Sequence, residues 1–390
     1  MKRHFLGACL LLAGSVPCLA IDPIFVRRGP ELRPFGATCC SGDGAVAMAA
    51  DGSFAVYWRR SESGVDSAWV RRLAADGTPL AAAVEVPTGV SLGRNLLSSA
   101  PDGSFVLLST TPTGPVTRML KVLRFASSGQ ALPAVDIADT RYADASVGHD
   151  GQGNFVVLWS DENTDLRAAR FDAAGNLVGS IFEVAQSAGY ERIQVVVAAD
   201  GSFTAFYEKR TDPKTGGHLH RRRYDAAGQP LGAEEAVPPL LMEHFDSQAA
   251  SAADGFAAAV FALVPHAYGA LFDASGAPGP SFTLWDEPND VTWVPLVAPL
   301  ANGDFAATVN IAVDNLEQKL VLSRIGRDGL DVGPKMVLSG VPNIGVGALA
   351  ASGDRILVFA ARGADHFLQV YEAPLFADGF ESGDSARWVP

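Results

Sequence analysis

Cysteine is scarce in this chain, with four in 390 residues. Cys9 and Cys18 fall within the first twenty positions, so Cys39 and Cys40 alone remain beyond them, and they are adjacent. Neighbouring α-carbons lie ~3.8 Å apart across a trans peptide, less than a disulfide normally spans. Two readings stay open: a vicinal disulfide in a strained ring, or free or intermolecularly paired thiols. Apart from Arg33, nothing nearby would activate a thiolate, which argues against a redox site. Long apolar runs are also missing after the first twenty residues, so no membrane insertion is expected. Positive charge is short as well: 30 Lys and Arg stand against 43 Asp and Glu, a formal net charge of −13. Such a balance repels nucleic acid and anionic lipid. The one basic cluster, Arg221-Arg222-Arg223, reads as a strand whose alternate side chains face solvent. Catalytic signatures are absent too: there is no His-Glu-x-x-His, no P-loop and no dinucleotide fingerprint. Gly89-Val90-Ser91-Leu92-Gly93 spells a nucleophile elbow, but no helix pattern follows it.

What the chain does have is a repeat. Apolar segments run into Asp-Gly-x-Phe turns and out again about every 50 residues, anchored at Phe54, Phe105, Phe155, Phe203, Phe256, Phe305 and a degenerate Ile356. A second mark follows most anchors: Arg71-Arg72-Leu73-Ala74-Ala75-Asp76-Gly77, Arg170-Phe171-Asp172-Ala173-Ala174-Gly175 and Arg223-Tyr224-Asp225-Ala226-Ala227-Gly228 are its clearest copies. Asp and Gly tolerate the left-handed backbone of tight hairpins, so both marks predict turns between antiparallel strands. Each repeat then holds four strands, a to d, with small residues on strand a and Val, Phe, Trp and Tyr on strand b. Four-stranded units repeated around an axis predict an all-β fold, a β-propeller of about seven four-stranded antiparallel blades. The last repeat lacks a clear strand d after Pro374. Residues 23–28 resemble one and are expected to complete that blade, with Leu375 to Phe380 as the rival.

Lys2 and Arg3, the apolar run from Phe5 to Leu12 and the small residues up to Ala20 have the layout of a cleavable secretory signal. The expected division is a signal over 1–20, a propeller over 21–373 and a tail over 374–390. Ser15-Val16-Pro17 before Cys18 lacks the pattern of a lipidation site.

In a propeller the a–b and c–d hairpins share one face, and the b–c and d–a connections share the other. Here the first face carries near-constant turns and the second is irregular, so the second is the expected binding face. Its candidates are Glu208, His218 and His220, where imidazole and carboxylate together suit a metal. Asp161 and Glu162 supply oxygens but lack the order of a calcium loop. Trp58, Trp159 and Trp293 are rings that could stack on sugars. Packing and solvated loops are the plainer readings of all of them, and no metal or cofactor is expected.

Asp200-Gly201-Ser202-Phe203 followed by Arg223-Tyr224-Asp225-Ala226-Ala227-Gly228-Gln229-Pro230-Leu231-Gly232 resembles the propeller-type repeats of uncharacterised secreted bacterial proteins, over residues 36–373. Asp378-Gly379-Phe380-Glu381-Ser382-Gly383-Asp384-Ser385-Ala386-Arg387-Trp388 resembles a C-terminal Asp-Gly-Phe-Glu-x-Gly-Asp-x-x-x-Trp ending of secreted Gram-negative proteins, which suits a sorting tag or a plain exposed tail. The resemblance implies an extracellular or cell-envelope location and no settled activity. The expected function is a secreted, monomeric, non-enzymatic propeller that binds an extracellular protein or glycan. The alternatives are an envelope hydrolase or lyase with carboxylates around the axial channel, and a structural surface scaffold.

Overall fold

Both glycines of a repeat sit in the left-handed region: Gly52 at φ 79° and Gly77 at φ 87° in the first copy. Each closes a hairpin in which the residue three places earlier accepts its N–H, as Ala49 accepts from Gly52 at 2.9 Å. The turn aspartate then accepts the N–H two residues on, Ser53 to Asp51 at 2.8 Å and Thr78 to Asp76 at 2.8 Å. The Ser53 hydroxyl and amide hold the Asp51 carboxyl below its usual range. This turn chemistry is local and self-sufficient.

The computed structural model describes residues 25–33, 35, 44–62, 65–87, 96–114, 117–140, 144–161, 165–186, 190–209, 218–237, 246–263, 265–288, 290–313, 317–338, 344–362 and 365–373. They form seven four-stranded antiparallel sheets, with strands in the order a-b-c-d. Blade 1 is Gly44–Met48, Phe54–Glu62, Val65–Leu73 and Val84–Val86. Blade 3 is Ala145–His149, Phe155–Ser160, Leu166–Phe171 and Phe182–Ala185. Blade 4 is Tyr190–Val197, Phe203–Lys209, His218–Tyr224 and the short Glu235–Ala236. Blades 2, 5 and 6 repeat the plan from Leu97–Ser99, Asp246–Ser251 and Val291–Pro299. In blade 7, Ile344–Ser352, Arg355–Arg362 and Asp365–Glu372 are joined on the outside by the N-terminal strand Val26–Leu32. Val26 pairs with Glu372 and Leu32 with Leu368, and Arg28 meets the Glu372 carboxylate at 2.6 Å. Strand a of each blade neighbours strand a of the next, back to the first, so the ring is closed. Residues 1–24, 36–43 with Cys39 and Cys40, 162–164 with Glu162, and 374–390 lie outside the described residues.

Both faces of every sheet are covered by another sheet. The core is therefore a set of layers between blades rather than one centre, as in the clusters joining blades 3 and 4, 6 and 7, and 7 and 1. This is why strand b is apolar on both faces: Phe155–Ser160 is buried along its whole length. The anchor phenylalanine stacks on the aromatic of the second mark, Phe155 on Phe171 at 5.0 Å and Phe203 on Tyr224 at 4.7 Å.

Two sequence expectations change here. In blade 5, Ala257 and not Phe256 lies opposite Phe272. Phe256 donates its N–H to Asp254, as Ser53 does to Asp51, so it takes the serine's place in the turn and packs towards Phe305 instead. The triplet Arg221-Arg222-Arg223 is no solvated edge either, because strand c has a neighbouring blade on each side. Arg221 pairs with Glu235 at 2.6 Å and lies 4.1 Å over the Phe272 ring. Arg222 donates to Val184 O at 2.7 Å, and Arg223 to the Ser275 and Ala274 carbonyls.

Arg223 belongs to a series. Arg124 donates to Ala173 O at 2.9 Å and Arg170 to Ala227 O at 2.6 Å, each reaching the c–d turn of the next blade. The receiving glycine must be bare: a Cβ on Gly175 would stand 2.8 Å from the Arg124 guanidinium, and one on Gly228 3.1 Å from Arg170. The arginine and glycine of the second mark are therefore partners across a blade boundary.

Candidate functional site

The innermost strand of a blade has one edge without a ladder, and its N–H groups need acceptors. Side chains supply them in three successive blades. Ser146 Oγ accepts Val195 N at 3.0 Å, Gln194 Oε1 accepts Ala249 N, and Gln248 Oε1 accepts Val297 N at 2.8 Å. Near the irregular end of the same wall, Arg192 holds φ 52° at a bulge in strand a of blade 4, a conformation rare for a side-chain-bearing residue. Its N–H donates to Asp144 at 2.6 Å, and its guanidinium meets Glu208 at 2.9 Å. Ser247 Oγ donates to the other Glu208 oxygen at 2.9 Å. Glu208 is 1% exposed, so this buried carboxylate is compensated from blades 4 and 5 together.

The structure does not bring Glu208 to the histidines. Tyr207 lies opposite His220 and Lys209 opposite His218, whereas Glu208 faces the other way opposite Leu219. The carboxylate beside His220 is Glu234, which accepts from Tyr207 at 3.0 Å and Lys209 at 2.9 Å and lies 2.9 Å from His220 Nδ1. Burial alone would raise the Glu234 carboxyl, but hydrogen bonds from Lys209 and Tyr207 outweigh it and hold the group below its usual range. Burial pushes the His220 imidazole down, against the attraction of Glu234. The signal for Glu234 was available only through register, because His220 pairs with Ala236.

Asp161 accepts from Asp165 N at 3.0 Å and from Arg167 Nε at 3.0 Å. Arg167 also reaches Asp165 at 3.2 Å and Glu183 at 3.4 Å. The Asp161 hydrogen bond raises the guanidinium above its usual value, so the Asp161 carboxylate considered for calcium holds an arginine, and Glu162 lies outside the described residues. Among the described residues no group of three or more His, Cys, Asp or Glu is arranged to hold a metal ion.

Trp58 and Trp159 are 4% and 1% exposed. Trp58 packs edge-on to Phe35 at 5.3 Å, and Trp159 lies in the cluster of blades 1 to 3. Their rings are spent on packing. Trp293 is half-buried, and so is Trp285, whose Nε1 donates to Asp290 at 2.9 Å. His266 pairs with Asp286 nearby. The irregular end thus carries a different polar arrangement on each of blades 3, 4 and 5.

The chain matches no protein-family model, and no curated protein matches it. Solved structures do share its shape. The β-propeller domain of the Trilobed protease from Pyrococcus furiosus, described as having an open velcro topology, superposes with a TM-score of 0.54 at 8% identity, over 85% of this chain and 95% of that one. BBS1N, in complex with ARL6DN, gives 0.53 at 12% identity, over 91% and 98%. The WD40 domain of Toxoplasma gondii coronin gives 0.52 at 11% identity, over 90% and 87%. At such identities the likeness is one of fold. The class is the seven-bladed β-propeller, and its architecture is compatible with binding.

Proposed function

We propose that this chain is a secreted, non-enzymatic propeller that binds an extracellular protein or glycan on the end carrying the b–c and d–a connections. The observation that supports this reading is the contrast between its two ends. One end repeats the same hydrogen-bonded turn blade after blade, satisfying its own polar groups. The other carries one-off groupings: Arg167 among three carboxylates, Tyr207, Lys209 and His220 on Glu234, and His266 on Asp286. A scaffold that varies only at one end concentrates recognition there. The WD40 and BBS1N propellers lend support at the level of fold. The enzyme reading has less to stand on, since the buried carboxylate Glu208 is already bound by Arg192 and Ser247.

The test uses a glycan panel and surface proteins from the producing cells, probed with the full chain, with Lys209→Glu/Arg167→Glu and with Asp172→Asn. Binding lost in the first variant and kept in the second supports the proposal. Equal loss in both, or turnover of a glycan by the wild type, overturns it. N-terminal sequencing of protein recovered outside the cell checks secretion, with Ile21 expected as the first residue.

A further inference from the structure

Blade 3 keeps the hydrogen bonds of the a–b turn and changes its residues. Asp150 N donates to Asn154 O at 2.9 Å and Gly153 N to Asp150 O at 3.3 Å, as Ala49 N does to Ser53 O and Gly52 N to Ala49 O in blade 1. Asp150 stands where blades 1, 2 and 4 have Ala49, Ala100 and Ala198, and Gln152 where they have Asp51, Asp102 and Asp200. The capping carboxylate has moved two places: Asp150 accepts Gln152 N at 2.8 Å, Asn154 N at 2.9 Å and Asn154 Nδ2 at 2.7 Å. With the turn capped from position 150, the exposed side chain of Gln152 has no turn to hold. Gly151 is bare because a Cβ there would stand 2.8 Å from Ala199 O, and its N–H donates to that carbonyl at 3.1 Å. The turns of blades 3 and 4 are thereby fastened to each other.

Beside them, between the same two blades, lies a cleft of about 320 Å³, a volume that suits a small ligand rather than a protein surface. Its polar groups are within reach of solvent: Gln152 and Asp200 are exposed and Arg170 is half-buried. Asp200 caps its own turn through Oδ1, which accepts the Ser202 amide at 2.9 Å and hydroxyl at 2.7 Å. These bonds hold its carboxyl below the usual range, so it is charged at neutral pH. Arg170 spends Nη1 on Ala227 O. Val178, 38% exposed, and the exposed Ala226 add apolar surface. A ligand there meets an amide that donates and accepts, a carboxylate that accepts and a guanidinium that donates. An anion would meet Asp200 and Asp150, and a cation would meet Arg170. An uncharged, hydroxyl-rich molecule with an apolar face suits all of them.

We infer that this cleft between blades 3 and 4 is a binding site for a neutral sugar, its hydroxyls taken by Gln152, Asp200 and Arg170 and its apolar face laid on Val178. A free sugar and the end of a glycan chain present the same chemistry. The site lies on the end away from the proposed recognition face and stands independently of it.

Calorimetric titration of the full chain with glucose, galactose and mannose, and with the methyl glycoside of each, tests the inference. Saturable binding of a sugar and equally of its methyl glycoside supports it with a chain-end source. Binding of the free sugar alone supports it with a free-sugar source. Gln152→Ala removes the amide from an exposed position and is expected to weaken binding about fivefold or more. Ala226→Trp, on the exposed rim, is expected to abolish binding by filling the cleft, whereas Lys209→Glu/Arg167→Glu at the other end should leave it unchanged. No binding by any of these sugars, unchanged affinity in both Gln152→Ala and Ala226→Trp, or loss in Lys209→Glu/Arg167→Glu overturns the site. So does a uronate or amino-sugar form that binds more tightly than its neutral parent.

Discussion

Gly175 and Gly179 share a backbone conformation and differ in their surroundings. Their φ values are 84° and 82°, but a Cβ on Gly175 meets the Arg124 guanidinium whereas one on Gly179 meets nothing within 4 Å. Gly179→Ala should therefore cost only the left-handed strain, about 1 kcal/mol. Gly175→Ala should cost about 2–3 kcal/mol, since it also displaces the arginine from Ala173 O. Urea denaturation of the pair decides this, and equal costs would remove the arginine from the explanation. His149 offers a pH test at the same scale. Its Nδ1 lies 2.9 Å from Ser98 Oγ, and burial pushes it down to about 4 despite Asp150 and Asp102. With the folded value below the unfolded one, the unfolded chain takes up the proton first as the medium is acidified. The stability this group contributes is full above about pH 6.5 and is lost as pH falls towards 4, by on the order of 2–3 kcal/mol. Comparing wild type with His149→Gln between pH 7 and pH 4 isolates it: the variant should show the shallower decline.

An arginine on strand c clasps the turn of the following blade, so blade boundaries are fastened by hydrogen bonds as well as apolar layers. Arg170→Met keeps the stem and removes the bond to Ala227 O. It should cost about 1 kcal/mol and speed amide exchange in the 226–229 turn more than in the 173–176 turn of the previous blade. Uniform exchange would show that the bond does not stiffen its own boundary. The clasp also shows what could be read from sequence. Arg-Phe-Asp-Ala-Ala-Gly was visible as a turn because Gly and Asp act locally, whereas the arginine's partner lies a whole repeat away, 57 residues between Arg170 and Ala227. Phe256 was misplaced for a related reason: the letters Asp-Gly-x-Phe suggest an anchor, but strand register, not the nearest aromatic, decides which residue faces Phe272. Periodicity made blades and strands legible. Glu234 beside His220 and Arg192 on Glu208 depend on strand register within blade 4, and the covered faces of Trp58 and Trp159 on packing against neighbouring elements, neither of which the repeat pattern displays.

At the scale of the molecule, stability is shared around a ring in which each sheet buries its faces only against its two neighbours. The seam is in blade 7, where Phe25 at 2% exposure packs with Leu296, Leu320 and Tyr371. Phe25→Ala should cost about 3–4 kcal/mol, read from the urea midpoint, and a change below about 1 kcal/mol would mean that the seam is not part of the cooperative unit. That seam also has a history. Arg28 and Glu372 are 344 positions apart, so in a chain made from its amino end the first of the described strands must wait for its partner until the last of them is made. Loop closure over such a length is slow to be rewarded, and until it happens six blades can stack in an open arc whose two ends are exposed. Synthesis order thus makes completion of the circle a late event, and a chain interrupted before residue 365 lacks the strand on which Val26–Leu32 closes it.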